Sequence, residues 1–273
     1  MTDDAVLRRR RAAFDGVAET YDAARPRYPR ALVDDLVALS GLRPGDRVLE
    51  IGCGTGQLTA DLARRDLDVT AVELGPALAA LARRNLASFP RVRVLEGAFE
   101  ELTVTEPVDA VVAALSFHWI PPAVRVARAA AALRPGGALA VVEVRHVAGG
   151  TEAFFAAVQD CYLRFDPATQ PGFRTPTADE VPPAYPELDD AALFGAVQRR
   201  RHTWEVEYSA DRFRALLSTF SDHLDLPAWR REGLLDCLAR LIDERFGGTI
   251  TKRYLAELVV ARASGDSRRR AGP

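Results

Sequence analysis

Up to about residue 145 the chain alternates between two kinds of apolar spacing, and then it changes character. In residues 31–39 (ALVDDLVAL), Leu32, Leu36 and Leu39 recur at helical spacing, and Gly41 with Pro44-Gly45-Asp46 ends the helix and turns the chain. RVLEIG follows, a short apolar run ending in glycine that predicts a buried strand. Residues 57–65 return to helical spacing, 68–74 (DVTAVEL) predict a second strand, and 76–87 another helix with Pro76 in its first turn. Residues 91–97 and 108–116 predict the third and fourth strands. A helix over 122–133 is closed by Pro135-Gly136-Gly137, and 138–144 (ALAVVEV) predict the fifth strand. These strands carry almost no polar alternation, so both of their faces must be covered. That is the demand of a parallel sheet between helical layers.

The second half reads differently. Residues 151–165 and 211–245 predict helices, 196–208 a strand and 252–262 a last one, while 166–189, rich in proline and acid, predict loop. Tyr21, Arg25 and Tyr28, near Arg25-Pro26 and Tyr28-Pro29, suit an irregular flap over the sheet rather than a helix.

Composition narrows the classes. In 273 residues, 48% hydrophobic and 27% charged, a fibrous or wholly disordered chain is excluded. Thirty-six basic against 38 acidic residues, net −2, leave no surplus for gripping nucleic acid, so no nucleic-acid partner is expected. No run approaches the ~18 apolar residues of a membrane span, and the Arg8–Arg11 cluster is followed by no apolar stretch. The expectation is a soluble cytoplasmic protein without a secretory signal and with reduced thiols. Cys53, Cys161 and Cys237 are too few and too far apart for a disulfide framework or a cysteine zinc site. His118, His146, His202 and His223 form no HxH or HxxxH pair, so no metal is expected.

The chemistry concentrates in Glu50-Ile51-Gly52-Cys53-Gly54-Thr55-Gly56-Gln57, between a strand and a helix. Three glycines at alternate positions let the backbone turn sharply and lie against a ligand, and the N–H groups opening the next helix favour a negative group. The dinucleotide fingerprint needs a glycine where Gln57 stands, and a phosphate loop needs a lysine that is absent here. Glu73 ends the second strand, where a carboxylate can accept both hydroxyls of a ribose.

On these residues the chain resembles the class I S-adenosylmethionine-dependent methyltransferases. VLEIGCGTGQLTADLA, VTAVELGPAL and ALRPGGALAVVE are similar to three of the family's motifs, and the likeness covers about residues 42–145. More loosely, FDGVAETYDAARPRYP (14–29) is similar to the N-terminal lid of the trans-aconitate and quinone-biosynthesis types, and SFHWI (116–120) to the segment after their fourth strand. The resemblance implies an α/β, doubly wound, Rossmann-like fold: a seven-stranded, mostly parallel sheet with an N-terminal helical lid and a helical cap inserted after strand 5. The expected organisation is one domain over 1–263, with lid and first helix in 1–40, cofactor core in 42–147, cap and strand 6 in 148–245, last strand in 246–263, and a flexible tail, 264–273, whose Arg268–Arg270 run is solvated.

The resemblance also implies roles. S-adenosylmethionine is the cofactor and S-adenosylhomocysteine the product. Gly52, Cys53 and Gly54 border its methionine part, with Gly56 and Gln57 completing the loop. Glu50 helps hold the ammonium, Glu73 binds the ribose, and Leu74 and Phe99 flank the adenine. At Ala98 many relatives carry an aspartate that bonds the adenine amino group, and here Glu100 substitutes or only backbone contacts the base. Ser116 and Trp119 lie against the cofactor.

His118 follows the fourth strand, so it lines the acceptor pocket and is the candidate base, with Tyr21 as a second catalytic candidate. Tyr21, Arg25, Tyr28 and His118 form the expected substrate pocket, and the acceptor is a small molecule. No Asn/Asp-Pro-Pro-Tyr/Phe motif follows the fourth strand, which argues against methylation of nucleobases or glutamine amides. Arg199–Arg201 read as a solvated sheet edge rather than a phosphate clamp. Two other readings stay open: a cofactor-binding protein of this fold without methyl transfer, and an NAD-dependent oxidoreductase, which the residue at 57 opposes.

Overall fold

The computed structural model describes residues 14–189 and 191–264. Seven strands form one sheet: β1 (Arg47–Ile51), β2 (Asp68–Glu73), β3 (Val92–Glu96), β4 (Val108–Ala114), β5 (Leu133–Gly150), β6 (Phe194–Ser209) and β7 (Thr249–Ala263). Their order is β3-β2-β1-β4-β5-β7-β6. The first five are mutually parallel, and β7 runs antiparallel between β5 and β6. The chain leaves β1 in one direction toward β2 and returns on its other side as β4, so the switch in strand order lies beside β1.

Helices cover both faces, as the apolar strands require. In chain order they are α1 (Ala18–Ala24), α2 (Arg30–Leu39), α3 (Gln57–Ala63), α4 (Pro76–Asn85), α5 (Pro122–Ala132), α6 (Glu152–Phe165), α7 (Ala210–Leu217), α8 (Ser221–Leu224) and α9 (Ala228–Arg245). Leu32 and Leu36 of α2 and Leu58 and Leu62 of α3 pack with Val48, Val69 and Val112 on one face. Ala129 and Ala132 of α5 pack with Leu49, Val111 and Leu139 on the other. Val48 and Leu49, successive residues of β1, thus serve opposite cores, which is why the strand is apolar on both faces apart from Arg47 at its start and buried Glu50.

The cap has its own core, in which Phe154 and Cys161 of α6, Phe213 of α7 and Leu234, Leu238 and Ile242 of α9 close over Tyr208, Ile250 and Tyr254 of β6 and β7. It sits on an extension of the sheet. β5, β6 and β7 pair well past the parallel part, with Tyr254 between His146 and Trp204 in register. The expected bounds of these strands, 138–144, 196–208 and 252–262, were therefore too short. RHVAGG, after residue 144, loses the continuous apolar run that marked the buried strand. The helical stretch expected over 211–245 is three helices, broken at 218–220 and ahead of Ala228 by Pro227.

Two further expectations are corrected. The lid is not an irregular flap at Tyr21: α1 holds Tyr21, and only residues 25–29 are extended. The prolines at 26 and 29 restrict the residues beside them and leave Ala18–Ala24 free to be helical. The thiols are not all reduced: Cys161 on α6 and Cys237 on α9, 76 residues apart in sequence, are disulfide-bonded inside the cap, and Cys53 is free and buried. Sequence separation says nothing of spatial separation once two helices pack together, and such a bond is one that a reducing cytosol does not favour.

The Arg8–Arg11 cluster and the Arg268–Arg270 run lie outside the described residues. No helix among the described residues is long and apolar enough to cross a membrane.

Candidate active site

One cavity of about 290 Å³ opens where the parallel strands end. Its wall takes Gly52 and Gly54 after β1, Glu73 and Leu74 at the end of β2, Gly97 and Phe99 after β3, and Leu115, Ser116, His118 and Trp119 after β4. Glu143, Val144 and Arg145 of β5 complete it, with Phe14, Tyr21 and Arg25 from the N-terminal segment and Phe220 from the cap. This is the crevice that open α/β sheets offer to ligands, outside the strand carboxyl ends at the switch point.

The glycine loop forms its floor. Gly52 has φ +64°, and a Cβ there would stand 2.6 Å from the Ser116 Cβ. Only glycine combines that conformation with that approach. Ser116 in turn donates from Oγ to the carbonyl of Ile51 at 2.5 Å, locking the end of β4 to the end of β1. Leu115, just before it, holds φ +55°, a conformation costly for a branched side chain and found where a site demands it.

Glu73 joins loop and strand. Its Oε2 accepts from the Gly54 amide at 2.8 Å and its Oε1 from the Gly75 amide at 2.9 Å. The two bonds aim the carboxylate at the mouth of the glycine loop, on the cavity wall. Glu50 lies deeper, buried in β1 beneath the loop, and its Oε2 has no hydrogen-bond partner. Burial pushes its carboxyl up to about 7. Thr55 Oγ1 and Gln57 Nε2, also buried, lack partners too.

The lid is pinned at both ends. Asp15 Oδ1 accepts from the amides of Ala77 (2.6 Å) and Leu78 (3.1 Å), capping the positive end of α4. Arg25 donates to Thr219 Oγ1 (2.9 Å) and to the Thr219 carbonyl (2.7 Å), and its guanidinium lies over the rings of Tyr21 and Phe220. Tyr21 comes within van der Waals reach of the space above Gly54, and burial raises its hydroxyl. Phe14 sets an edge against both Tyr21 and Trp119.

At the far wall, His118 Nδ1 lies 3.4 Å from Glu143 Oε2. Glu143 is buried; its Oε2 also accepts from Tyr185 Oη at 2.8 Å, and its Oε1 pairs with Arg145 at 2.9 Å. Burial pushes the Glu143 carboxyl up, but His118, Arg145 and Tyr185 outweigh it and hold the group below its ordinary range.

The structure thus brings Gly52, Gly54, Glu73, Leu74, Phe99, Ser116, Trp119, His118, Tyr21 and Arg25 to one cavity. Glu50, Cys53, Gly56, Gln57, Ala98 and Glu100 do not line it. Tyr28 is not at the cavity either: it packs against the core and borders a separate depression with Asp22, Thr55 and Asn85. Its ring is partly buried there, near enough to Tyr21, Glu50 and Glu143 for their charges to add to the effect of burial in raising its hydroxyl. Arg199–Arg201 do lie on the edge strand, with Arg200 and Arg201 exposed, but Arg199 and Arg201 also pair with buried Glu257 and bond carbonyls of the 178–184 loop. Glu143 and Tyr185 were missed. The available signal was one acid inside ALAVVEV, since a buried carboxylate needs partners.

Residues 48–137 match the family described as a methyltransferase domain. Over 131 residues the chain is 37% identical to an uncharacterised methyltransferase of Mycobacterium tuberculosis, covering 48% of this chain and 51% of that one. Over 108 residues it is 38% identical to the trans-aconitate 2-methyltransferase of Deinococcus radiodurans, covering 39% of this chain and 41% of that one. The chain spans about half the length of the curated relatives it matches, or less. A solved protein of Anaeromyxobacter dehalogenans, provisionally assigned as a type II methyltransferase, superposes with TM-score 0.56 at 25% identity over 87% of this chain and 97% of that one. Residues 48–137 are therefore similar to the methyltransferase-domain family, and they lie in a seven-stranded α/β sheet of the class I methyltransferase fold.

Proposed function

We propose that this chain transfers a methyl group from S-adenosylmethionine to a small organic acceptor and releases S-adenosylhomocysteine. The observation that carries the reading is the Gly54–Glu73 bond, which sets a glycine loop and a strand-end carboxylate side by side at the cavity wall. The residues present fit this cofactor. Gly52 and Gly54 leave room for its aminoacyl chain. Buried Glu50, with an unpartnered oxygen, suits its ammonium, reached through water, since Glu50 does not line the cavity itself. Glu73 suits the ribose diol, and Leu74 and Phe99 suit the adenine faces.

When bound, the cofactor supplies an activated methyl group on a sulfonium, already a good leaving group. What the chain must then do is align and enclose. The Arg25–Thr219 joint ties lid to cap over the cavity and excludes water. The rings of Tyr21, Phe14 and Trp119 favour a cation near them. His118, on the wall, is placed to meet the acceptor. Lid, core and cap act together as one unit.

Incubation with methyl-labelled donor and a panel of small acceptors tests the proposal. Label transferred to an acceptor supports it. Binding of S-adenosylhomocysteine with no label transferred would instead favour a cofactor-binding protein of the same fold.

A further inference from the structure

A second cavity, about 270 Å³, adjoins the first and shares His118, Glu143 and Arg145 with it. Its other walls are Pro182, Pro183, Tyr185 and Leu255, with Arg125, Glu187 and Glu257. These last charges already have partners: Arg125 pairs with Glu187, and Glu257 is held by Arg199, Arg201 and the Ala184 amide. Arg145 is paired with Glu143. A wall whose charges are neutralised internally has little to offer an ionised ligand, and its prolines, leucine and tyrosine ring suit a neutral, partly apolar one.

We propose that this second cavity takes the body of a neutral, hydroxyl-bearing acceptor and that Glu143 is the positioning residue that keeps His118 ready to accept the hydroxyl proton. The inference rests on the methyl-transfer reading given above. Glu143 Oε2 faces Nδ1 of His118, which has no other hydrogen-bond partner, so the carboxylate favours the neutral tautomer with its proton on Nδ1 and the Nε2 lone pair on the opposite side. The 3.4 Å separation is long for a hydrogen bond, as such contacts are before ligand closes a site. Tyr185 and Arg145 fix the carboxylate from the other sides, so Glu143 cannot turn away from the ring. The groups facing His118 are thus Glu143 and Arg145 of β5, Trp119 beside it, and Tyr185 acting through Glu143.

In the reaction the acceptor oxygen gains the methyl group as the bond from methyl to sulfur breaks, with its electron pair staying on sulfur. The hydroxyl proton passes to His118 Nε2 and then to water, so the product is a neutral ether and one proton is released. An ionised carboxylate acceptor has no such proton to lose and gives His118 and Glu143 nothing to do.

Nitrogen-15 NMR of the histidine rings in the full chain, at alkaline pH and with His118 assigned through H118Q, reads the tautomer directly. We expect the proton on Nδ1 in the wild type and in Tyr185→Phe. In Glu143→Gln the amide nitrogen, turned from Arg145 toward the ring, shifts it to Nε2. A wild-type ring protonated on Nε2, or a folded Glu143→Gln protein with an unchanged ring, would overturn the positioning role. If that variant does not fold, the wild-type tautomer decides alone. Added para-hydroxyacetophenone, neutral with one hydroxyl, should move the His118 resonances, and para-toluate, matched in size but ionised, should not. A response to para-toluate alone, or to neither, overturns the acceptor class. The tautomer is read without cofactor, so failure of this proposal is distinguishable from failure of the methyl-transfer reading, which shows as absent S-adenosylhomocysteine binding.

Discussion

Glu73, the last residue of β2, accepts a hydrogen bond from the backbone amide of Gly54 at 2.8 Å, so the carboxylate and the glycine loop are positioned by each other. The second oxygen is held by Gly75. A glutamine in place of Glu73 must turn its NH2 toward one of these two amides. Glu73→Gln should therefore loosen the loop and remove one acceptor for a ligand diol. S-adenosylhomocysteine affinity should fall by about ten- to a hundredfold, matching the ~1.5–3 kcal/mol of a hydrogen bond to a charged group. Calorimetric titration of the variant checks this, and an unchanged affinity would remove Glu73 from the account.

Glu50 makes a prediction about pH. Its carboxyl stands near 7 in the folded protein against 4.5 for an ordinary glutamate, so the folded state binds the proton more tightly than the unfolded one. Stability from this group is full below about pH 4.5 and is lost as pH rises through about 7. The loss is at most about 3 kcal/mol, since each tenfold difference in proton affinity between the two states is worth about 1.4 kcal/mol. Glu50→Gln should lack this decline and be the more stable protein above neutrality, while binding the donor more weakly. Denaturant unfolding of both proteins across the pH range measures the difference; parallel curves would contradict it.

Arg25 joins lid to cap through two hydrogen bonds to Thr219 and two ring contacts. Arg25→Ala should speed amide exchange in Ala18–Ala24 by about tenfold or more, the equivalent of ~1.4 kcal/mol from charged hydrogen bonds at a half-buried site. Exchange in β1 and β4 should not change. Equal exchange in wild type and variant would mean that the lid is held by something else.

The core was legible because its strands are buried on both faces and its glycine loop has to be glycine. Val48, Leu49 and Ile51 announce a strand whatever surrounds them, and Gly52 admits no side chain beside Ser116. The cap side of the sheet was not legible. There β5–β7 pairing continues through His146 and Gly150, residues that carry no strand signal and are held by their partners Tyr254 and Lys252. The Tyr185–Glu143–His118 cluster joins three distant stretches of chain, and only the fold brings them together. The Cys161–Cys237 bond was hidden for the same reason.

That bond closes a 76-residue separation, and the loop-entropy relation gives up to about 4.5 kcal/mol for such a closure. Reduction, or the pair Cys161→Ser and Cys237→Ser, should lower the thermal midpoint, with α6 and α9 losing exchange protection before β1 and β4. Melting curves with and without reductant measure it, and identical curves would show that the cap does not depend on the bond.

The measurement that bears most directly on the account is titration of the full chain with S-adenosylhomocysteine by isothermal calorimetry, with NADH as the comparison ligand. We predict saturable binding at one site for S-adenosylhomocysteine, weakened about ten- to a hundredfold in Glu73→Gln, and no heat with NADH. No binding of S-adenosylhomocysteine, or saturable binding of NADH in its place, would contradict the assignment of the Gly52–Gly54 cavity as a methyl-donor site.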